Sequence, residues 1–540
     1  METPRWIGTN VTREKRPATD FRCRGTTALV AALAIIGLGG DGRSEPNGDA
    51  PDPTDPPPGD AAGTNGMADS GPPCHARLIS RPRPTADSAR GSSGAPSLSS
   101  SGRRAAFESD AANLVINDAN GVSDVFTIDL DSGAVSLVSL TPGGDPGDGP
   151  SRLGRHALSD DGTVVVFESD ATDLVPDDTN GVTDVFIRDL TTGRTRRLSV
   201  SSDGAQADAP CTHPTISGDG RFVAFDSTAT VLSGARRPGL SAVFIHDRAL
   251  GLTTRIDPPT RGNMSPKIRL GASRPALSRD GRFVAYETDE NDLVPDDANG
   301  ATDVVVYDRL LDRAFLASAT ADGAPGNKDS GHAALSHDGR FVAFASDAYN
   351  LVPSDLGFCR DVFRKDLHSG RIVRASRPES DEEANGDSDW PDLAQDGRLV
   401  AFVSRASNLV PADSNACDDV FVRDPEGGRT VRLSQPAPVA AAPGWSGSPA
   451  LAPAAPCAAF VSAFPTLAPR DTNNAADVFV RELWCEPPCP ADFNHDGHID
   501  DADLFAFLGA FPDGLADVNL DGITDDFDWT DFFASFVLGC

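Results

Sequence analysis

One pattern recurs seven times along the chain, and each copy holds four short β-rich runs. The last copy is cut short, and its missing run lies near the other end of the chain. These observations predict an all-β fold, a seven-bladed β-propeller closed by an N-terminal strand, with a small helical domain appended at the C-terminus. The unit is clearest over 159–199, SDDGTVVVFESDATDLVPDDTNGVTDVFIRDLTTGRTRRLS. Its Asp-Val-Phe triplet, or a relic of it, returns at Asp124, Asp184, Ala242, Asp303, Asp361, Asp419 and Asp477, in steps of 60, 58, 61, 58, 58 and 58 residues.

Within a copy the order reads strand, Asp-Gly turn, strand, long loop, strand, Thr-Gly turn, strand. In the third copy this predicts strands over 213–217, 221–227, 242–247 and 253–256. The Asp-Gly pairs at Asp161, Asp219, Asp280, Asp338 and Asp396 are hairpin signals, because glycine tolerates positive φ and aspartate bonds its own backbone. The runs at Val164 to Phe167 and Phe222 to Phe225 are continuously apolar, as expected of strands covered on both faces by neighbouring blades.

The seventh copy stops after its third strand, and Ala76-Arg77-Leu78-Ile79-Ser80 matches the missing fourth, Arg196-Arg197-Leu198-Ser199. The N-terminal segment is therefore expected to complete the seventh blade. Aligned on the second copy, Cys485 falls at Thr192 and Cys74 at Gly193, adjacent places in the hairpin turn that the chain break removes. A Cys74–Cys485 disulfide is expected to replace that turn, closing a loop for which the chain-entropy model gives roughly 4–5 kcal/mol. Cys359 and Cys417 occupy equivalent places in neighbouring blades and are expected to lie too far apart to pair. Cys457, at the position of Phe222, is expected to be a buried free thiol, and Cys211 has no evident partner.

The 540 residues are 39% hydrophobic, enough for a large core and a smaller domain. With 47 basic and 80 acidic side chains the net charge is −33, which argues against nucleic acid or an anionic membrane as partner. Basic residues ahead of a 12-residue apolar run at 27–38 read as a secretory signal, 1–39, too short to span a bilayer. Residues 40–73, almost wholly Gly, Pro, Asp, Ala, Ser, Thr and Asn, read as a disordered linker. Removing the signal leaves eight cysteines, which fits an oxidising compartment: secreted, extracellular, cell-surface or periplasmic.

The recurring Ser-x-Asp-Gly-Arg-x-Val-Ala-Phe-x-Ser, as at 217–227 and 336–346, resembles the WD40-like PD40 repeats of the TolB propeller family. The resemblance covers 74–485 and implies the propeller fold; function must come from a site. Between second and third strands the spacing Asp-x-Asn-x-x-x-Asp survives at Asp118/Asn120/Asp124, Asp178/Asn180/Asp184, Asp297/Asn299/Asp303, Asp413/Asn415/Asp419 and Asp471/Asn473/Asp477. Three oxygen side chains round a tight turn suit Ca²⁺, but prolines such as Pro176 and Pro295 stand where a first ligand belongs. Asx-turns account for the residues without an ion, so further ions in the blade loops are not expected. Acidic pairs such as Asp177-Asp178 read as solvated loop. The nine histidines show no metal-binding spacing, and there is no nucleophile elbow or phosphate-binding glycine loop. No catalytic residue is assigned.

Residues 486–540 change character. ADFNHDGHIDDADLFAFLGAF is followed by ADVNLDGITDDFDWTDFFASF, and each half carries D-x-N-x-D-G-x-x-D-x-x-D, the oxygen spacing of a calcium loop. The ligands of the first ion would be Asp492, Asn494, Asp496, the His498 carbonyl, Asp500 and Asp503; those of the second, Asp517, Asn519, Asp521, the Ile523 carbonyl, Asp525 and Asp528. Apolar residues at helical spacing follow each loop, Leu504, Phe507, Leu508 and Phe511, then Trp529, Phe532, Phe533 and Phe536. A core so small needs staples, which two calcium ions and a Cys489–Cys540 disulfide would supply. The duplicated loop and helix resembles a dockerin type I pair, an EF-hand-like module, and the resemblance implies calcium binding and docking to a cohesin-like or surface protein.

The expected whole is a secreted or cell-surface monomer with no transmembrane span. Its propeller would present a protein- or glycan-binding surface, and its calcium-loaded tail would attach it. Two alternatives are a carbohydrate-active enzyme with its site in the propeller funnel, and a propeller with a purely structural calcium cap.

Overall fold

The computed structural model describes residues 76–483, except 83–88, 233–238, 257–270, 291–298, 354, 357–358, 381, 412, 436–443, 466, 468–470, 472 and 474. The signal at 1–39, the linker at 40–73, Cys74, Cys485, Cys489, Cys540 and every calcium ligand of 486–540 lie outside the described residues.

The described strands form seven four-stranded antiparallel sheets. Blades 1 to 6 are continuous in sequence, over 93–137, 151–197, 211–255, 272–316, 330–374 and 388–432. The seventh is Ser446–Leu451, Cys457–Ser462 and Asp477–Glu482, with Arg77–Leu78 as its outer strand. Arg77 faces Val480 and Leu78 faces Phe479, so the N-terminal segment closes the ring as its sequence predicts. The register puts Ser80 in the place of Ser199: Ser80 Oγ donates to Asp477 Oδ1 at 2.6 Å and accepts from the Val478 N–H at 2.9 Å.

The core is repeated within each sheet. A phenylalanine of the second strand stacks on one of the third, as in Phe167–Phe186 at 5.8 Å and Phe402–Phe421 at 5.9 Å, and these rings are fully buried. Aromatic pairs of this kind stabilise by about 0.5–1.5 kcal/mol beyond their burial. Blade 4 has Tyr286 facing Val305 instead. The continuously apolar runs are buried on both faces, as the sequence pattern requires.

Two belts of backbone hydrogen bonds join the blades. At one end the first residue of each inner strand donates to the residue preceding the third strand of the blade before it, as in Cys211 to Thr183 (2.9 Å) and Ser388 to Arg360 (2.7 Å). The seam is sewn in the same way by Ser93 to Ala476 at 2.7 Å. At the hairpin-turn end His337 donates to Gln395, Gln395 to Pro453, and Ala454 to Ser100, each at 3.0 Å.

The inner strands depart from the expected limits. In blade 3 the strand is Cys211–Ile216, beginning two residues early, and the second strand begins at Phe222 because Arg221 belongs to the turn. The early start reflects a shift of register between Thr212 and Thr215 that period-two reading cannot anticipate. Cys211, Cys359 and Cys457 are free and Cys417 is disulfide-bonded, so Cys359 and Cys417 do not pair with each other. Cys457 is half-buried, where full burial was expected, because it starts its strand at a blade edge.

Candidate ligand site in the central channel

The same register shift recurs in the inner strands of blades 1, 3, 4, 5, 6 and 7. It places the third residue of each strand, Ala95, His213, Arg274, His332, Trp390 and Ser448, at φ between 46° and 53°. Blade 2 has a longer segment there, and His156 takes the same conformation at φ 49°. Left-handed backbone costs a non-glycine residue of order 1 kcal/mol, and a bulge re-aims a side chain. In this ring it turns one residue per blade toward the axis.

What holds the bulge is a carboxylate from the preceding blade. Glu108 accepts the N–H of Leu153 (3.0 Å), Glu168 that of His213 (2.8 Å), Asp226 that of Arg274 (3.2 Å) and Glu287 that of His332 (2.6 Å). These acids occupy the penultimate place of the second strand in blades 1 to 4, where blades 5 to 7 have Ala345, Val403 and Val461. At blade 6 Asp389 takes over, accepting the Trp390 N–H at 2.8 Å.

The bulged residues enclose a cavity of about 280 Å³ around the axis, lined by Arg155, His156, His213, Arg274, His332, Trp390 and Asp392 among alanines and prolines. Three imidazoles are each anchored through one nitrogen to a carboxylate. His156 Nε2 is 2.6 Å from Asp392, His213 Nδ1 2.8 Å from Asp226 and His332 Nδ1 2.5 Å from Asp389. Among the described residues no hydrogen bond is made by their second nitrogens. The His332 ring stacks on Trp390 with centroids 4.1 Å apart, and the Arg155 guanidinium lies 5.8 Å from the indole. Arg155 spans the axis from blade 2, donating to the carbonyls of His332 and Pro391. Arg274 Nη1 meets Glu287 at 3.1 Å.

The carboxylates are spent behind this lining. Burial pushes Asp392 up, but His156, Arg155 and the Leu451 N–H outweigh it and hold the carboxyl below its ordinary value. Asp389 is likewise raised by burial and brought below its ordinary value by His332, Arg360 and the Trp390 N–H. The hydrogen bond to Asp226 raises His213 above the usual imidazole value against the opposing effect of burial. The channel therefore shows imidazole nitrogens, acceptors when the ring is neutral and donors when it is protonated, beside an indole face and guanidiniums held by Glu287 and two carbonyls.

Sequence reading assigned no residue here. The histidines come from three different blades, and their kinship appears only when the copies are stacked. The pattern x-Pro-x-Leu-Ser is complete only at 95–99 and 274–278, and its first place varies through Ala, Arg, His, Trp and Ser; in blade 2 that place is Arg155, and His156 stands where the proline would be.

The blade loops are structural where the described residues show them. Asn180 Nδ2 donates to Asp184 at 2.8 Å and to the Ala207 carbonyl at 3.1 Å, and Asn120 repeats this with Asp124 and Gly147. Asp178 is not solvated, contrary to the loop expectation: its side chain is 3% exposed and paired with Arg197 at 2.8 Å, whereas Asp177 is exposed. In blade 5 the carboxylate oxygens of Asp355, Asp361 and Glu383 lie within 4.8 Å of one another, a set that could hold a metal ion. Arg374 already stands among them, 3.4 Å from Asp361 and 3.5 Å from Glu383.

No protein-family model matches the sequence, and no curated protein matches it. Among solved structures, TolB from Acinetobacter baumannii is similar at 16% identity and a TM-score of 0.33, over 70% of this chain and 78% of that one. Oligogalacturonate lyase from Vibrio parahaemolyticus is similar at 11% identity and a TM-score of 0.43, over 76% and 91%. The acylaminoacyl peptidase of Pyrococcus horikoshii gives 10% and 0.42, with this chain covering 52% of its length. These likenesses are remote, and the assignment of a seven-bladed propeller rests on the sheet topology itself.

Proposed function

We propose that the protein is a secreted or cell-surface binding protein whose channel mouth takes an acidic glycan, and whose C-terminal module, loaded with two calcium ions, attaches it to a cohesin-like or other surface protein. The observation that carries the first half is the lining of the channel. Arg155, Arg274, His156, His213 and His332 line one cavity with Trp390, whose indole meets His332 and Arg155. A uronic acid offers matching groups: a carboxylate for the guanidiniums and for a protonated His213, hydroxyls that donate to neutral imidazoles, and a flat pyranose face for the indole. The attachment role rests on the duplicated calcium-loop spacing of 486–540 and its dockerin resemblance.

The test is calorimetric titration of the full chain with a uronate oligosaccharide and with its neutral hexose counterpart. Binding of the acidic sugar alone supports the reading, and equal or absent binding of both rejects it. A second reading has its own support, because an imidazole held by a carboxylate is the arrangement of a general acid or base, and three such pairs face one cavity. In that reading the same sugar is cleaved, and product formation that stops on replacing His156, His213 or His332 would favour it.

A further inference from the structure

Six blades carry an acidic residue in the loop and another at the start of the third strand, and the blades differ in what neutralises the pair. In blade 2 it is Arg197, on the outer strand opposite Phe186. Its Nη1 is 2.8 Å from Asp178 Oδ1 and 3.3 Å from Asp184 Oδ2, both carboxylates being buried. In blade 6 Arg432, opposite Phe421, lies 3.1 Å from Asp413 and 3.1 Å from Asp419. In blade 5 Arg374, opposite Phe363, serves Asp361.

Among the described residues, blade 7 has no such arginine on its outer strand. Its outer strand is the N-terminal segment, and the register puts Leu78 opposite Phe479, as it puts Leu137 opposite Phe126 in blade 1, where Asn120 bonds Asp124 Oδ2 at 2.6 Å instead. The carboxylates remain: Asp477 is fully buried and Asp471 is 8% exposed. Asp477 Oδ1 is taken by Ser80, but among the described residues Asp471 Oδ1 and Asp477 Oδ2 have no hydrogen-bond partner. They are the counterparts of the two oxygens that Arg197 binds in blade 2. Asn473, between them in sequence, donates to the Ala89 carbonyl (2.8 Å) and accepts from the Ala475 N–H (2.9 Å).

We propose that blade 7 binds a calcium ion between Asp471 and Asp477, in the place that an arginine guanidinium fills in blades 2, 5 and 6. Buried carboxylate oxygens without a hydrogen-bond partner are costly unless a counter-charge or a proton meets them. The donors are oxygens only, which suits a hard cation, and too few to complete an octahedron from protein atoms. Calcium accepts irregular sets of 6–8 oxygens with water completing the shell, whereas Mg²⁺ demands near-ideal geometry. A shared proton is the competing occupant: burial raises Asp477 to about 7 against the pull of Ser80 and Asn473, and burial raises Asp471 too. The ion would sit beside the seam, since Asp477 also holds Ser80 of the closing segment.

The test counts ions on the full chain by equilibrium dialysis with radioactive calcium at pH 8, comparing wild type with Leu78→Arg and Asp471→Asn. The C-terminal loops are unchanged in all three and cancel. The expected result is one calcium fewer in each variant, with chelator lowering the propeller transition of the wild type by several degrees more than that of Leu78→Arg. If Leu78→Arg fails to fold, Asp471→Asn, which removes a charge and no volume, carries the count. Retention of the full number of ions by a folded variant overturns the proposal. So does an equal chelator effect in wild type and Leu78→Arg, or an undiminished count in wild type when Na⁺ or Mg²⁺ replaces free calcium.

Discussion

Replacing Ser80 by alanine removes a buried hydroxyl that makes two bonds across the seam of the ring. The bond to Asp477 (2.6 Å) is made to a carboxyl group, and the Val478 N–H (2.9 Å) loses its acceptor. A bond to a charged group contributes about 1.5–3 kcal/mol and a stranded buried N–H costs about 1–3 kcal/mol, so with partial relaxation the loss should be about 3 kcal/mol. Ser199→Ala in blade 2 is the internal control. It loses the equivalent bonds, but Asp184 keeps Asn180 at 2.8 Å and Arg197 at 3.3 Å, and about half the cost is expected. The assay is urea unfolding of the full chain at fixed calcium, with hydrogen exchange of the Ile79 amide, which bonds the Val478 carbonyl at 2.9 Å. Faster exchange at Ile79 and a larger loss for Ser80→Ala are predicted. Equal losses for the two variants, or protection at Ile79 unchanged, would refute the reasoning.

Three further outcomes are expected. Phe402→Ala removes a fully buried ring stacked on Phe421 and should cost about 3–5 kcal/mol in the same unfolding assay. Lys365 is buried with its Nζ 2.8 Å from the Ala319 carbonyl, and burial lowers it to about 8 from 10.5. Between those values the unfolded state binds more protons than the folded one, so stability should rise with pH from about 8 to 10.5; Lys365→Met should flatten that rise, and an unchanged slope contradicts the assignment. Calcium should add a helical component to the far-ultraviolet circular dichroism of the chain, since the described residues contain no helix and 501–511 and 526–538 are expected to be helical. Asp496→Asn with Asp521→Asn should abolish the gain.

The scaffold was legible because the same solution is written seven times. The phenylalanine pair recurs in six blades and the Asp-Gly turn in five, each at a fixed offset, so a worn copy is corrected by the others. Even the seam could be read, since Ser80 stands six residues after Cys74 as Ser199 does after Gly193. The channel could not be read so directly. His156, His213 and His332 are far apart in sequence, and the bulge that turns His213 and His332 toward the axis leaves no mark on period-two alternation. The signal of His213 and His332 is variation, one changing residue ahead of a worn Pro-x-Leu-Ser, and His156 stands at the proline's own place. The blade loops divide along a similar line: the Asx-turn reading accounts for Asn180, but the loop spacing is silent on whether an arginine or a leucine faces the carboxylates from the outer strand.

The central claim is that the channel mouth is a ligand site built by the bulged residues. The affinity of the full chain for a uronate oligosaccharide, wild type against Trp390→Ala, tests it most directly. Trp390 is 40% exposed and its ring meets His332 and Arg155, so its removal should leave the fold nearly unchanged. The account predicts a loss of affinity of at least tenfold with an unaltered unfolding midpoint. Undiminished affinity in the variant would place the ligand elsewhere on the ring and contradict it.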